Sequence, residues 1–269
     1  MTLNQYYTLS NGVKIPKIGF GTAPLKGDDA YWAVRHAIDA GYRHIDTAQT
    51  YGNEADVGRA IKDCGVARDK LFVTTKVDSR IKTHEETIAA FHDSLRRLNL
   101  EYVDLYLIHA PWAFDDIGSD HASGNVEVFK AFEKLYEDGL VRAIGVSNFD
   151  RNDLSHLIEH TSMVPHVNQI KRHIGFPQDE TEAFCDAHSI QIEAYSPLGR
   201  GVFFDDDTLR SIADEYGVHP AQIAVGYLLQ KGMVVLPRSS KKHNIRANGT
   251  IDFTLSDAQM RRLDSLRFL

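Results

Sequence analysis

Residues 41–51 read GYRHIDTAQTY: a glycine that closes a helical pattern, a short apolar run ending at Asp46, and a polar segment ending at Tyr51. Two later apolar runs end in the same manner, LFVTTK at Lys76 and VDLYLIH at His109. Short runs of this kind are typical of buried parallel strands. In a barrel of such strands the carboxyl ends meet on one face. The sequence therefore predicts that an acid, a phenol, an amine and an imidazole share one mouth.

Strand signals recur along the whole chain, and helical patterns separate most of them. The predicted strands are Ile18–Gly21, His44–Asp46, Leu71–Lys76, Val103–His109, Ala143–Ser147, His166–Gln169, Gln191–Tyr195 and Val234–Pro237. Eight strands alternating with helices in 269 residues predict an α/β protein, a single (β/α)8 (TIM) barrel domain over residues 1–269. An open doubly wound sheet is the alternative that the strand count leaves open.

The sequence also contains signals for helix starts and for a tight turn. Asp28, Thr83 and Ser256 are predicted helix caps, and Pro220 is predicted to open a helix, where its missing N–H costs little. Residues 6–14 contain Asn-Gly between apolar segments, which predicts an N-terminal β-hairpin. We expect this hairpin to plug the bottom of the barrel.

Composition excludes several function classes. A net charge of −7 argues against nucleic-acid and anionic-membrane partners. The first residues lack the charged and apolar regions of a signal peptide, and no apolar run approaches the ~18 residues of a membrane span. Two cysteines far apart give no disulfide framework. We expect a cytoplasmic, monomeric protein.

The four residues at the predicted mouth suit proton transfer to a carbonyl oxygen. A free phenol has a pKa of about 10, and a neighbouring ammonium lowers that pKa. Lys76 can supply the ammonium for Tyr51, and Asp46 can hold it as a partner. Tyr51 then serves as general acid, and His109 orients the carbonyl in whichever tautomer it adopts. Each residue alone is more often structural, so the prediction rests on their joint occurrence at successive strand ends.

The chain resembles the aldo-keto reductase family in segments that occur in the same order from about residue 9 to 263. The resemblance implies an NADP(H)-dependent oxidoreductase that reduces aldehydes or ketones, with Asp46, Tyr51, Lys76 and His109 as catalytic tetrad. The matching segments are GFGT (19–22), GYRHIDTA (41–48), YGNE (51–54), TTK (74–76), YVDLYLIH (102–109), GVSNF (145–149), NQ (168–169) and AYSPLG (194–199).

The resemblance also implies a cofactor site, while no G-x-G-x-x-G follows a strand to indicate a Rossmann domain. Arg238 and Ser239 are implied to hold the 2′-phosphate of NADP, and Tyr195 to stack on the nicotinamide. Members commonly carry lysine at Arg238 and arginine at Asn244, so NADP(H) is expected with NAD(H) as a weaker alternative. The implied residues are Gly21, Thr22, Asp46, Ser147, Asn148, Gln169, Tyr195, Ser196, Leu198, Gly199, Pro237, Arg238, Ser239, Ser240, Asn244 and Asn248.

The substrate side departs further from the family. Tryptophans common in related reductases are replaced by Ala23, Asp78 and Ala110, and the chain stops shortly after its last helix. These departures predict a wider, more polar pocket for a small carbonyl compound, such as a hydroxylated aldehyde, a keto-sugar or an α-keto compound. The predicted substrate residues are Ala23, Thr50, Asp78, His109, Ala110, Trp112 and Phe114.

Two alternatives come from other function classes. His156 and His160 match H-x-x-E-H, a zinc-hydrolase pattern, but thirteen histidines make chance pairs easy. We therefore predict no metal site. A barrel that binds nicotinamide cofactor as a regulatory subunit, with little turnover, is the second alternative. Such a subunit would need neither Tyr51 nor Lys76, so the presence of both residues argues against it.

Overall fold

The computed structural model describes residues 2–268, and within them eight parallel strands form one sheet in sequence order. The first and last of these strands meet through a parallel bridge between Ile18 and Val235. Gly19 N–H donates to the Val235 carbonyl at 2.9 Å, so the sheet closes into a barrel. The eight strands are β3 (Phe20–Gly21), β4 (His44–Asp46), β5 (Phe72–Val77), β6 (Val103–Ile108), β7 (Val141–Ser147), β8 (Val167–Lys171), β9 (Gln191–Tyr195) and β10 (Val234–Leu236).

Helices surround the barrel and cover its apolar outer wall. Their inward faces carry the apolar residues that the helical periodicity predicts, and these residues pack on the outward-facing side chains of the strands. The helices are α1 (Gly27–Asp39), α2 (Glu54–Asp63), α3 (His84–Leu98), α4 (Ala122–Glu137), α5 (Arg151–His160), α6 (Asp179–Ala187), α7 (Asp207–Tyr216), α8 (Pro220–Gln230), α9 (Lys242–Gly249) and α10 (Asp257–Asp264). The prediction of a (β/α)8 barrel is confirmed, and the open-sheet alternative is wrong.

The N-terminal hairpin is also confirmed. Strands β1 (Tyr6–Thr8) and β2 (Lys14–Pro16) pair antiparallel, and Gly12 takes the left-handed φ of +84° that their turn requires. Leu9 and Ile15 from the hairpin pack against Phe72, Leu105 and other side chains inside the barrel. The hairpin therefore seals the end opposite the strand carboxyl termini.

The predicted helix starts differ from the structure at one position. Thr83 and Ser256 accept hydrogen bonds from the third residue of their helices, and Pro220 is the first residue of α8. Helix α1 instead begins after Lys26, so Asp28 lies inside its first turn, where a carboxylate favours the positive end of the helix dipole.

No helix within residues 2–268 is long and apolar enough to cross a bilayer.

Candidate active site

The strand carboxyl ends bring the four predicted catalytic residues together. Asp46 is the last residue of β4, and Tyr51 ends the 3-10 turn Gln49–Tyr51 that follows. Lys76 lies near the end of β5, and His109 follows β6 directly. The Tyr51 and His109 rings lie 5.4 Å apart in an edge-to-face arrangement. The mouth predicted from the sequence therefore exists as one cluster.

Lys76 is the centre of this cluster and is fully buried. Its Nζ lies 2.7 and 2.8 Å from the two carboxylate oxygens of Asp46, 2.9 Å from the carbonyl of Thr47 and 3.3 Å from Tyr51 Oη. Burial alone lowers the pKa of Lys76, but Asp46 and Tyr51 outweigh it, so the net pKa is raised. The ammonium is therefore a permanent charge beside the phenol.

The pKa of Tyr51 differs from the simple expectation. Burial raises it, and the charge and hydrogen bond of Lys76 lower it. Asp46 adds a second raising contribution, and the net pKa lies above that of a free phenol. The sequence showed the ammonium but not how deeply the phenol is covered. The closed site thus keeps Tyr51 protonated, with Lys76 in contact to stabilise the phenolate when the proton leaves.

His109 is neutral in this environment. Burial and then the Lys76 charge lower its pKa to about 3, against a smaller raising effect of Asp78. Its Nδ1 lies 3.1 Å from the Thr50 hydroxyl, and its carbonyl accepts a hydrogen bond from Asn148 Nδ2 at 2.9 Å. The first contact holds the ring and leaves Nε2 available for a ligand, and the second holds the backbone of His109.

The cluster opens into a cavity of about 750 Å³. Asp46, Tyr51 and His109 line it, together with most of the residues expected to hold a cofactor. Those lining residues are Gly21, Ser147, Asn148, Gln169, Tyr195, Ser196, Leu198, Arg238, Ser239, Ser240 and Asn244. Four others, Thr22, Gly199, Pro237 and Asn248, do not line the cavity, and the Thr22 hydroxyl instead donates to the carbonyl of Asp46.

One end of the cavity presents amide and hydroxyl groups. Gln169 uses Nε2 to donate to Asp46 and Glu193 at 2.9 and 2.8 Å, which leaves its carbonyl oxygen as the atom free to accept a hydrogen bond. The Tyr195 hydroxyl donates to Asn148 Oδ1 at 2.8 Å. Asn148 has a left-handed φ of +63°, a backbone conformation that asparagine adopts more readily than most non-glycine residues. This end suits a planar ligand that carries an amide.

The other end presents three cations, Arg200, Arg238 and Lys241. Among residues 2–268 none of the three forms an ion pair with an acid. Asp46 is the one acid that lines the cavity, and Lys76 neutralises it. Arg200 was not identified from the sequence; its position between two glycines after β9 was the available signal. In a protein of net charge −7, this local excess of positive charge indicates a site for an anion.

Comparison with known proteins agrees with this geometry. A family model described as the aldo/keto reductase family matches residues 17–267. The chain belongs to the aldo-keto reductase family. It is 42% identical to a glyoxal reductase of Bacillus subtilis over 267 residues, which cover 98% of this chain and 94% of that relative. It is also 42% identical to a 9,11-endoperoxide prostaglandin H2 reductase of Trypanosoma cruzi over 264 residues, covering 96% and 90%.

Solved structures of aldo-keto reductases superimpose on the whole barrel. The enzyme from Brucella melitensis gives a TM-score of 0.91 at 41% identity and covers 97% of this chain and 98% of that one. An aldo-keto reductase of Bombyx mori in complex with NADP gives 0.89 at 33% identity, covering 97% and 92%. Each of these matches extends over 97% of this chain.

The substrate end of this aldo-keto reductase differs from the expected arrangement. Ala23 and Phe114 line the cavity, whereas Thr50, Asp78, Ala110 and Trp112 do not. The Asp78 carboxylate binds Arg80 at 3.1 and 2.5 Å, which lowers the pKa of Asp78 and occupies both of its oxygens. Ala110 is fully buried. The polar partner expected in Asp78 is therefore already taken by Arg80.

The zinc alternative finds no support in the structure of this aldo-keto reductase. His156 and His160 lie on the outer helix α5 with their rings stacked 4.2 Å apart. His160 Nδ1 lies 2.8 Å from the carbonyl of His156. Within residues 2–268 no three His, Cys, Asp or Glu side chains are grouped so that they could hold a metal ion.

Proposed function

We propose that this chain reduces the carbonyl group of small aldehydes and ketones to alcohols with NADPH, and that Tyr51 is the general acid. The observation that carries the proposal is the 3.3 Å contact between Lys76 Nζ and Tyr51 Oη at the wall of the cavity. A pure cofactor-binding subunit needs no buried ammonium against a phenol. The retained pair therefore favours catalysis over a regulatory role.

The side chains act on the carbonyl oxygen. Tyr51 donates its proton as negative charge develops on that oxygen, and Lys76 stabilises the resulting phenolate. Asp46 keeps the lysine charged and fixed, since both its oxygens contact Nζ. Neutral His109 donates a hydrogen bond from Nε2 to the same oxygen and so orients the carbonyl.

The cavity fits a nicotinamide dinucleotide phosphate. Its amide end offers the free carbonyl oxygen of Gln169 together with Ser147 and Asn148, and Tyr195 forms the adjoining face. Its cationic end would bind phosphates through Arg200, Arg238 and Lys241, with Ser239 and Ser240 as hydrogen-bond partners. When bound, NADPH supplies the reducing hydrogen with its electron pair. The planar guanidinium of Arg238 suits a terminal phosphate, so we propose NADPH over NADH.

The substrates we propose are hydroxylated aldehydes, keto-sugars and α-keto compounds. Of the predicted substrate residues, Ala23, His109 and Phe114 line the cavity, and Ala23 contributes only a methyl group to its wall. Phe114 is itself 45% exposed, so apolar cover is limited. The name of the Bacillus subtilis relative, a glyoxal reductase, is consistent with a small polar aldehyde.

Steady-state turnover tests this proposal. The purified chain is assayed with NADPH and NADH against a hydroxylated aldehyde, a keto-sugar, an α-keto acid and an aromatic aldehyde, with Tyr51→Phe as the matched control. We expect NADPH oxidation that depends on the carbonyl compound and on Tyr51. Tight NADPH binding without turnover on any of the four would favour the regulatory alternative and overturn the proposal.

A further inference from the structure

A fully buried polar layer lies directly beneath the tetrad. Glu193 and His44 are both 0% exposed and point into the barrel from β9 and β4. Glu193 pairs in register with Gln169 on β8 and Val234 on β10. The proposed reaction assigns no role to this acid, yet a carboxyl group is costly to bury.

One amide nitrogen joins this layer to the tetrad. Gln169 Nε2 has two protons, and it donates to Asp46 Oδ2 at 2.9 Å and to Glu193 Oε2 at 2.8 Å. The carboxyl groups of Asp46 and Glu193 are thus bound by the same nitrogen atom. Lys76 contacts both oxygens of one of them, Asp46, and its three protons are taken by Asp46, Thr47 and Tyr51.

The charges around Glu193 do not balance a second carboxylate. The titratable groups that face it are His44 and Asp46 from β4 and Lys76 from β5; β10 presents only Val234. Burial, and then the Lys76 charge, lowers the pKa of His44 to about 3, so this imidazole supplies no cation. Lys76 is already neutralised by Asp46. An ionised Glu193 would therefore be an unbalanced buried charge.

The surroundings of the second Glu193 oxygen agree with a neutral acid. Oε1 lies 3.6 Å from His44 Nε2 and has no hydrogen-bond partner within residues 2–268. Gly19 packs directly against His44, since a Cβ at this position would lie 2.6 Å from His44 Nδ1. Burial and then Asp46 raise the pKa of Glu193 to about 8, against smaller lowering effects of Gln169 and Lys76.

We propose that Glu193 is a positioning residue that supports the tetrad in its protonated form and impairs it when ionised. This inference rests on the proposed function. As a neutral acid, Glu193 holds the Gln169 amide so that its carbonyl oxygen faces the cavity. As a carboxylate, it places a second negative charge beside Asp46. Negative charge near the phenol raises the pKa of Tyr51 and makes it a weaker acid. Reduction should then slow as the pH rises through the titration of Glu193.

The test compares Glu193→Gln with wild type between pH 6 and 9.5 at saturating NADPH. Glutamine has the shape and neutrality of the protonated acid. Wild-type Glu193, with a pKa near 8, is mostly ionised at pH 9, so the wild type should slow while the variant does not. The ratio of the variant kcat to the wild-type kcat should therefore rise about tenfold between pH 7 and 9. Glu133→Gln on α4 is the control; its side chain accepts backbone N–H groups of Ser162 and Met163 outside the barrel. A ratio for Glu193→Gln that stays constant with pH would overturn the proposal.

Two measurements need neither cofactor nor turnover. The infrared spectrum of the wild type at pH 7 should contain a protonated carboxyl band that disappears by pH 9 and is absent in Glu193→Gln. At Glu193 the unfolded state binds fewer protons than the folded state between about pH 4.3 and 8, so the contribution of this one group to wild-type stability falls across this window. The difference in Tm between Glu193→Gln and wild type should therefore shift in favour of the variant by at least about 2 °C between pH 5 and pH 9. If the variant folds poorly, the infrared spectrum of the wild type still tests the proposal. Absence of the protonated carboxyl band at pH 7 would refute a neutral Glu193. If the wild type turned over no carbonyl compound, the proposed function would be wrong. The infrared band would still show whether Glu193 is protonated.

Discussion

The Thr50 hydroxyl lies 3.1 Å from Nδ1 of His109. A hydroxyl can donate to or accept from a ring nitrogen, so the direction of this bond corresponds to one tautomer of the neutral imidazole. When the hydroxyl donates to Nδ1, Nε2 carries the proton and can donate to a carbonyl oxygen in the cavity. We therefore expect Thr50 to influence a substrate through His109, although it does not line the cavity itself.

Thr50→Val keeps the side-chain shape and removes this hydrogen bond. We expect kcat/KM for a small aldehyde to fall by roughly fivefold, the equivalent of one net hydrogen bond of about 1 kcal/mol. Thr50→Ser retains the hydroxyl and is the matched control. Equal losses in the valine and serine variants would show that the methyl group, and not the hydroxyl, matters.

Tyr51→Phe should lower kcat by about 10² to 10⁴, the usual contribution of a general acid. The ring is kept, so the Kd for NADPH should change by less than about twofold. Fluorescence titration measures the Kd, and single-turnover kinetics show whether chemistry limits the rate. A variant that keeps more than about a tenth of wild-type chemistry would falsify the assignment.

Arg238→Ala and Arg200→Ala should separate two parts of the cofactor site. Arg238 is expected at the 2′-phosphate, so its loss should raise the Kd for NADPH by at least about tenfold and leave NADH nearly unchanged. Arg200 lies in the loop with Ser196 and Leu198, where we expect the pyrophosphate that NADPH and NADH share. Its loss should weaken both equally. Equal weakening by Arg238→Ala would contradict a 2′-phosphate role, and Asn244→Arg should widen the preference for NADPH.

Much of this site could be predicted because strand ends in a parallel barrel converge. Asp46, Lys76 and His109 each close or follow an apolar run, so their clustering followed from chain order alone. The polar layer beneath them could not be predicted. Parallel strands are buried on both faces, so their sequences do not alternate and do not show which residues point inward. His44 and Glu193 therefore looked like ordinary strand residues.

Two local features of the substrate side could not be predicted either. The sequence showed Asp78 as a free polar group at the pocket, but the bonds from Arg80 occupy it. Ala110 was predicted in the pocket because related reductases carry tryptophan at this position, whereas its side chain is fully buried. Both differences arise from local packing, which neither apolar periodicity nor motif spacing encodes.

Ala23 is a better position than the buried Ala110 for testing the width of the pocket. Ala110→Trp would overpack a buried site, which costs about 1–3 kcal/mol of stability, so all substrates should suffer and Tm should fall. Ala23 lines the cavity. Ala23→Trp should lower KM for an aromatic aldehyde and raise it for a keto-sugar, since an added aromatic surface favours apolar ligands by roughly 1.5–3 kcal/mol when buried. Unchanged relative KM values would show that substrates do not reach this wall.

The two buried histidines of the barrel interior should make the fold sensitive to acid. Burial lowers the pKa of both His44 and His109 to about 3 in the folded state, whereas an unfolded histidine titrates near 6.5. Between these values the unfolded chain binds more protons, so stability rises with pH and is lost as pH falls below about 6.5. Each histidine contributes up to about 1.4 kcal/mol per pH unit in this window. Urea unfolding of wild type and His109→Gln between pH 7 and 4.5 measures the slopes. His109→Gln should flatten the curve by about one proton, and parallel curves would mean that His109 is not held neutral by its burial beside Lys76.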